Sequence, residues 1–411
     1  VNACLLPLSG MPVAEFESFI DLENYPDSES NDGWGEDSSI SNLVKSGWMK
    51  RIDGEVSKIT LHPIVSEVAI NELKPEITED KCKNFCDSVS ELMDNNNLKS
   101  VDAYKDIFIG SADTLIKNED RDSLVYVAKI ASVLCDLAYY SESLYYCMKV
   151  LAIREKVLPE NHPDLSMSYN NVGCAYGQLG EYEKSLEYVL KTLKIQKRVL
   201  PKNHLNIART FDNIGYIYGK LGKHEQALEY VLKSLSIREK VLPDNHLDIA
   251  MSYHNVGYVY GELGEHKQAL EYYLKVLAIQ EKILSKNHPD IATTYDNIGY
   301  EYERLGNDKR SPKYYLKALA IREQILPKNH LDIAKTFHNV GSAYSVLGHY
   351  KQALEYFLKA LTIFEKELPK NHPNIIGLLN EICHAYGKLG NRKKQSEYYY
   401  KMLSIQNDTL L

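Results

Sequence analysis

Six histidines recur along the 411-residue chain at an unbroken interval of 42 residues, His162, His204, His246, His288, His330 and His372, each directly after an Asn. Histidine beside carboxylates and amides is the raw material of metal sites and of proton transfer, so spacing has to decide what these do. Copies one repeat apart cannot converge on a single ion. In "LPENHPD" the His stands ahead of Pro163 and Asp164. Pro suits the first turn of a helix and Asp the positive end of its dipole. The six His and their Asn are therefore expected in turns and caps, with Leu205, Leu247 and Leu331 showing that the Pro is helpful and not required. Cys82 and Cys86 share one helix face without a His or second Cys pair nearby, which reads as packing. No metal and no cofactor is expected in this chain.

Around each His stands a whole structural unit. Eighteen residues after it comes a Gly in a Leu-Gly pair, at Gly180, Gly222, Gly264, Gly306, Gly348 and Gly390. A fixed period of this size marks a repeat array in which each unit buries its apolar face only against its neighbours. From Pro289 to Leu305, Ile291, Tyr295, Ile298 and Tyr302 recur at helical spacing and define a first helix. The Leu-Gly pair closes it, because Gly accepts the left-handed conformation of a C-terminal cap. From Glu181, Tyr182, Leu186, Val189, Leu190 and Leu193 form one stripe and define a second helix. Seven such pairs are expected. Pro312 replaces a Leu of the other second helices, so Ser311 is expected as N-cap with Pro312 at the first helical position.

Composition limits the partners. The net charge of −8 and the absence of a large Lys/Arg cluster argue against nucleic acid. The most apolar window, from Leu124, contains Lys129 and Asp136 and reads as a buried helix, so no membrane span is expected. Seven scattered Cys fit reduced thiols and a cytoplasmic location.

The Asn-x-Gly of the first helix, the Leu-Gly turn, a Tyr two residues past it at Tyr182 and Tyr350, and Ala at Ala227, Ala269 and Ala353 closely resemble the tetratricopeptide repeat in its 42-residue, kinesin-light-chain-like form, over residues 121–406. The first pair departs from it, with Lys129 and Ala131 where later units have Asn and Gly. The resemblance implies a mainly α fold, a right-handed α-α superhelical solenoid whose first helices line a concave groove that binds a protein or peptide ligand. Three rows of groove residues follow. One is Asn171, Asn213, Asn255, Asn297 and Asn339, ending in Glu381. The second is Asn170, Asp212, His254, Asp296, His338 and Asn380. The third is Cys174, Tyr216, Tyr258, Tyr300, Ser342 and His384. Amides that donate and accept, flanked by aromatic faces, suit an extended peptide backbone. Asp212, His254 and Asp296 lie on successive repeats with no consistent Ser or Cys nucleophile, which speaks against enzymatic chemistry.

Residues 1–75 differ. An acidic run, "DLENYPDSESNDGWGEDSS", precedes a pattern of helix, strand through Trp48, turn at Asp53-Gly54, strand to Leu61 and helix from Pro63. This order resembles the small winged-helix (α/β) segment that ends the ATPase core of STAND signalling proteins of the NB-ARC type. In that family a His after the wing contacts the phosphate of bound ADP; here the matching residue is His62, although Pro63 replaces the family's usual Asp. No Walker A motif occurs in the chain, which is therefore not expected to hydrolyse nucleotide by that mechanism, and the resemblance implies an NTPase domain upstream. Residues 76–120 read as a helical linker and residues 407–411 as a tail. Two functions follow, the ligand-sensing, regulatory C-terminal half of a STAND-type signalling NTPase or a plain kinesin-light-chain-like adaptor.

Overall fold

The computed structural model describes residues 11–12, 49–52, 58–61, 105–117, 121–306 and 309–408. The chain forms two compact units, Val1–Leu200 and Pro201–Leu411.

In the first unit, strands β1 (Met11–Pro12), β2 (Met49–Ile52) and β3 (Lys58–Leu61) form an antiparallel sheet in the order β1-β3-β2, with Met49 opposite Leu61 and Ile52 opposite Lys58. The strand pair expected around Asp53-Gly54 lies at these positions. The helices that would make it a winged helix lie outside the described residues, as do His62, Cys82 and Cys86. Helices α1 (Lys105–Leu115), α2 (Arg121–Asp136), α3 (Tyr140–Val157), α4 (Pro163–Gln178) and α5 (Tyr182–Val199) complete the unit. Phe108 of α1 is fully buried in the core that α2 to α5 share, and the Tyr146 hydroxyl donates to Asp113 of α1 at 3.0 Å. So α1, expected as part of a linker, packs as an extra layer on the first pair. The apolar window from Leu124 is α2, with Leu124, Val127, Ile130 and Leu134 all buried.

The second unit holds five helix pairs: α6 (Leu205–Lys220) with α7 (His224–Val241), α8 (Leu247–Glu262) with α9 (His266–Ile283), α10 (Pro289–Arg304) with α11 (Arg310–Ile325), α12 (Leu331–Val346) with α13 (Tyr350–Glu367), and α14 (Pro373–Lys388) with α15 (Arg392–Asp408). With α2/α3 and α4/α5 this makes seven pairs, and between residues 121 and 406 the described chain contains no strand.

Each recurring His is an N-cap. All six have φ between −73° and −64° and ψ between 135° and 138°, and Nδ1 accepts the backbone N–H two residues on at 3.0 to 3.2 Å. This satisfies one of the donors that a helix leaves unpaired at its start, and it requires Nδ1 to be unprotonated. The Leu-Gly turns whose following residue is described are Schellman motifs. Gly180 has φ +78°, its N–H donates to Gly177 O at 3.1 Å, and the Glu181 N–H reaches Tyr176 O at 3.0 Å. The first pair makes the same bonds with Ala138 in the glycine's place, at φ +64°, alone among the described non-glycine residues.

Within pairs, helices approach closely. A Cβ on Gly341 would fall 2.5 Å from the Phe357 ring and one on Gly173 2.6 Å from Val189, which explains the Gly of Asn-x-Gly. Beside this contact two tyrosines stack in every pair from α4/α5 onward, Tyr176 on Tyr188 through Tyr386 on Tyr398, with centroids 5.5 to 5.8 Å apart and planes within 16° to 27°. Offset stacks of this kind contribute about 0.5–1.5 kcal/mol each beyond burial.

One expectation is corrected. Helix α11 starts at Arg310, two residues later than the repeat places α9 and α13, but its N-cap is Lys309, and Pro312 sits at the third helical position. Ser311 is inside the helix, its hydroxyl buried without a partner among the described residues. Pro is tolerated there because first-turn N–H groups have no partner within the helix.

Replacing Ala138 by Gly should raise stability by up to about 1.6 kcal/mol, the relief of roughly 1–2 kcal/mol of left-handed strain less roughly 0.4–1 kcal/mol of added unfolded-state freedom. His246→Ala should lower it by about 1 kcal/mol through loss of the cap. Thermal unfolding measures both, and opposite signs would contradict the cap and turn assignments.

Candidate functional site: the first-helix face

In the first unit, α4 presents Asn170, half-buried and 3.7 Å through Nδ2 from the Sγ of exposed Cys174, next to half-buried Asn171. In the second unit the rows expected from the sequence occupy successive first helices, and they are bonded among themselves. Asp212 of α6 pairs with Arg238 of α7 at 2.6 Å; Arg238 is only 2% exposed and also bonds Ser234 and Ser252. Two repeats on, Asp296 of α10 pairs with Arg322 of α11, which bonds Thr336 of α12. The intervening repeats carry His instead. His254 of α8 lies 3.1 Å from the Asn297 amide of α10 and edge-on to Tyr273, and His338 of α12 lies 3.0 Å from Glu381 of α14 beside the Phe357 ring.

The Asn row is part of this network. Asn255 bonds both Asp212 and His254, and Asn339 bonds His338. Asn213 is half-buried between them in sequence order. Above this bonded layer the third row is open: Tyr216, Tyr258 and Tyr300 are 57%, 50% and 50% exposed. Ser342 instead donates to Glu303 at 2.8 Å, and exposed His384 meets the Tyr350 ring edge-on.

The sequence reading missed the charges that hold this face from behind. Arg238 and Arg322 stand 84 residues apart, twice the repeat, and Asp212 alternates with His254, Asp296 with His338; Arg154, a further 84 residues back, has Ala128 in place of the Asp and bonds Ser168 instead. That doubled period was the available signal. Buried charges need partners, so each Asp on a first helix calls for the Arg on its second.

Electrostatics follow from burial. Burial raises the Asp296 carboxyl to about 6 although Arg322 opposes it. Asp212 is raised for the same reason against Arg238. The second carboxylate oxygen, Oδ1, of each is buried without a partner among the described residues. Burial lowers His254. For His338 burial also works against the charge, but the Glu381 carboxylate outweighs it and the net direction is upward. Two imidazoles in one row therefore titrate on opposite sides of the ordinary histidine value. Among the described residues no group of three or more His, Cys, Asp or Glu could hold a metal ion, and no helix is long and apolar enough to cross a membrane.

The tetratricopeptide repeat model matches residues 123–198, 175–240, 205–282, 248–324 and 302–366. No curated protein matches the chain by sequence. Among solved structures, a Signal Transduction ATPase with Numerous Domains (STAND) protein with a tetratricopeptide repeat sensor, from Pyrococcus horikoshii, aligns at TM-score 0.59 and 15% identity over 91% of this chain and 59% of its own, so this chain spans about three fifths of it. The apo quorum sensor NprR from B. thuringiensis aligns at 0.57 and 16% identity over 84% of this chain and 92% of its own. The nearly identical TPR-like repeats of a Podosopora anserina kinesin light chain align at 0.46 and 24% identity over 50% and 98%. At these identities the likeness is one of fold.

The opposed titrations are directly measurable. In NMR titrations His338 should deprotonate at higher pH than His254, and Glu381→Gln should bring it down. Arg322→Ala should push the Asp296 carboxyl still higher, since it removes the opposing charge. Because the folded-state value lies above the ordinary 3.8, the native protein keeps the Asp296 proton where the unfolded chain has lost it; this group's contribution to stability therefore falls as pH rises from 3.8 to about 6. A lowered Asp296 value in the Arg322 variant would contradict the pairing.

Proposed function

Because the chain belongs to the tetratricopeptide repeat family, we propose that it is a protein-interaction module, not an enzyme, and that its first-helix face takes up an extended segment of a peptide or protein partner. The observation that carries this is the row Tyr216, Tyr258 and Tyr300, three half-exposed rings on consecutive repeats above a polar layer that is already internally bonded. A bonded layer loses little by partner binding, while exposed rings gain area at the cost of two torsions each, which is why Tyr so often dominates interfaces. The half-buried Asn and His between them offer donors and acceptors to a peptide backbone.

At the next level we read the chain as the ligand-sensing half of a STAND-type switch, with His62 on the nucleotide side. The support is the "LVKSGWMKRIDGEVSKITLHPIVSEV" phrase, the antiparallel pairing of β2 with β3 within it, and the fold likeness over nine tenths of this chain to a protein with a tetratricopeptide repeat sensor. The 42-residue period favours the alternative, a kinesin-light-chain-like adaptor. Ligand-triggered release of fluorescent ADP from the full-length protein separates the two.

A displayed random-peptide library selected on this chain supplies a ligand for the first test. Changing Tyr216, Tyr258 and Tyr300 together to Ala should weaken that ligand by about two orders of magnitude, at roughly 1 kcal/mol per ring, with unchanged helicity. Changing Asn213, Asn255 and Asn297 to Ala should weaken binding and also lower the melting temperature, because Asn255 and Asn297 hold Asp212 and His254 in place. Equal affinity of the Tyr variant would place the ligand elsewhere.

A further inference from the structure

The repeat that carries Pro312 also carries a cavity that shares no residue with the face described above. It measures about 500 Å³ and lies between α11 and the turn joining α12 to α13. Pro312 stands where α5, α7, α9 and α13 have Leu186, Leu228, Leu270 and Leu354. Leu354 is 6% exposed, and Leu228 and Leu270 pack against their cores. Pro312, itself buried, lines the cavity together with Leu316, Leu347 and Tyr344.

Charge changes at the same place. Five of the other second helices carry Glu187, Glu229, Glu271, Glu355 and Glu397 where α11 has Lys313, and α3 has Tyr145. Three of those Glu pair with the Lys four residues on, Glu187 with Lys191 at 2.7 Å, Glu355 with Lys359 at 2.9 Å, and Glu229 with Lys233. In α11 the pair becomes two like charges, and with Lys309 the row Lys309, Lys313 and Lys317 repeats every fourth residue, about 6 Å apart along the helix. Like charges at this spacing destabilise a helix that opposite charges would support. No acidic side chain among the described residues lines the cavity, whose rim also holds His349, and the Lys317 ammonium lies over the Tyr295 and Tyr314 rings, 4.8 and 5.3 Å from their centroids. Space and charge have thus been altered together in one repeat. A cavity of this size is in the range of small-ligand sites.

We propose that the cavity binds a small organic anion, its apolar body in the space beside Pro312 and its charged group among Lys309, Lys313 and Lys317. Long flexible stems let the ammonium groups of Lys309 and Lys313 converge on one phosphate, sulfonate or carboxylate, with Lys317 swinging from the Tyr295 and Tyr314 rings to join them.

Phenyl phosphate is the probe, with inorganic phosphate for the charge alone and benzyl alcohol for the body alone, each titrated against the full chain while the amide shifts of Lys313 and Tyr344 are followed. The expected result is one saturable site, at least tenfold tighter for phenyl phosphate than for either half and weakened by salt. Two variants restore what the other repeats have. Pro312→Leu fills the space and Lys313→Glu restores the ion pair with Lys317; each should weaken phenyl phosphate at least tenfold while the melting temperature holds or rises. If Pro312→Leu fails to fold, Lys313→Glu leaves the core untouched and decides alone. Unchanged affinity in Lys313→Glu, shifts scattered over the whole chain, or equal binding of all three probes would overturn the site.

Discussion

The close approach of two helices inside each pair governs the rest of the molecule. A Gly on the first helix lets a Val, Tyr or Phe of the second come within contact of its backbone, and the tyrosine stack beside it sets the rotation of both helices. Two residues before that Gly is the recurrent Asn, and at about 100° per residue it is turned away from the second helix. The residue after the Gly, Tyr216, Tyr258 or Tyr300, is exposed for a related reason. The candidate binding face is thus what remains of the first helix once the contact with its partner has been met.

That face is not uniform, because buried charge imposes its own rule. An Asp placed half under the surface must be compensated, and Arg238 and Arg322 reach from the second helices to do so. Where the row carries His254 or His338 the second helix has no Arg, and Tyr273 or Phe357 packs against the imidazole. The alternation makes two repeats, not one, the unit of electrostatic design. A ligand running along the row would meet a compensated carboxylate and an imidazole in turn, with the charge of the imidazole set by whether a neighbour such as Glu381 attends it.

Departures from the array are informative because an array offers its own controls. Ala138 accepts a conformation that every other unit gives to Gly, in the pair nearest α1, where the repeat gives way to a different kind of packing. Pro312 and Lys313 depart together in one helix, in volume and in charge. A sequence that keeps local rules almost everywhere and breaks two of them at adjacent positions points to a site whose function the fold alone does not require.

The sequence by itself determined the period, the helix starts and ends, and the stripes that are buried, because these rest on local chemistry: a His acceptor within reach of the N–H two residues on, a Gly free to be left-handed, an apolar residue every three or four positions. It also allowed the rows of the first-helix face to be written down in order. Only the tertiary structure decided which members of those rows are open and which are held. His254 meets Asn297 and His338 meets Glu381, each across 43 residues, and Asp212 meets Arg238 across 26; such pairs depend on helix rotation and on the offset between neighbouring helices, which no local pattern encodes. The cap expected at Ser311 marks the limit of such local signals: Ser before Pro announces a late helix start, but the helix begins two residues before Pro312, at Arg310 with Lys309 as N-cap, and the Ser311 hydroxyl lies inside it, buried without a partner among the described residues.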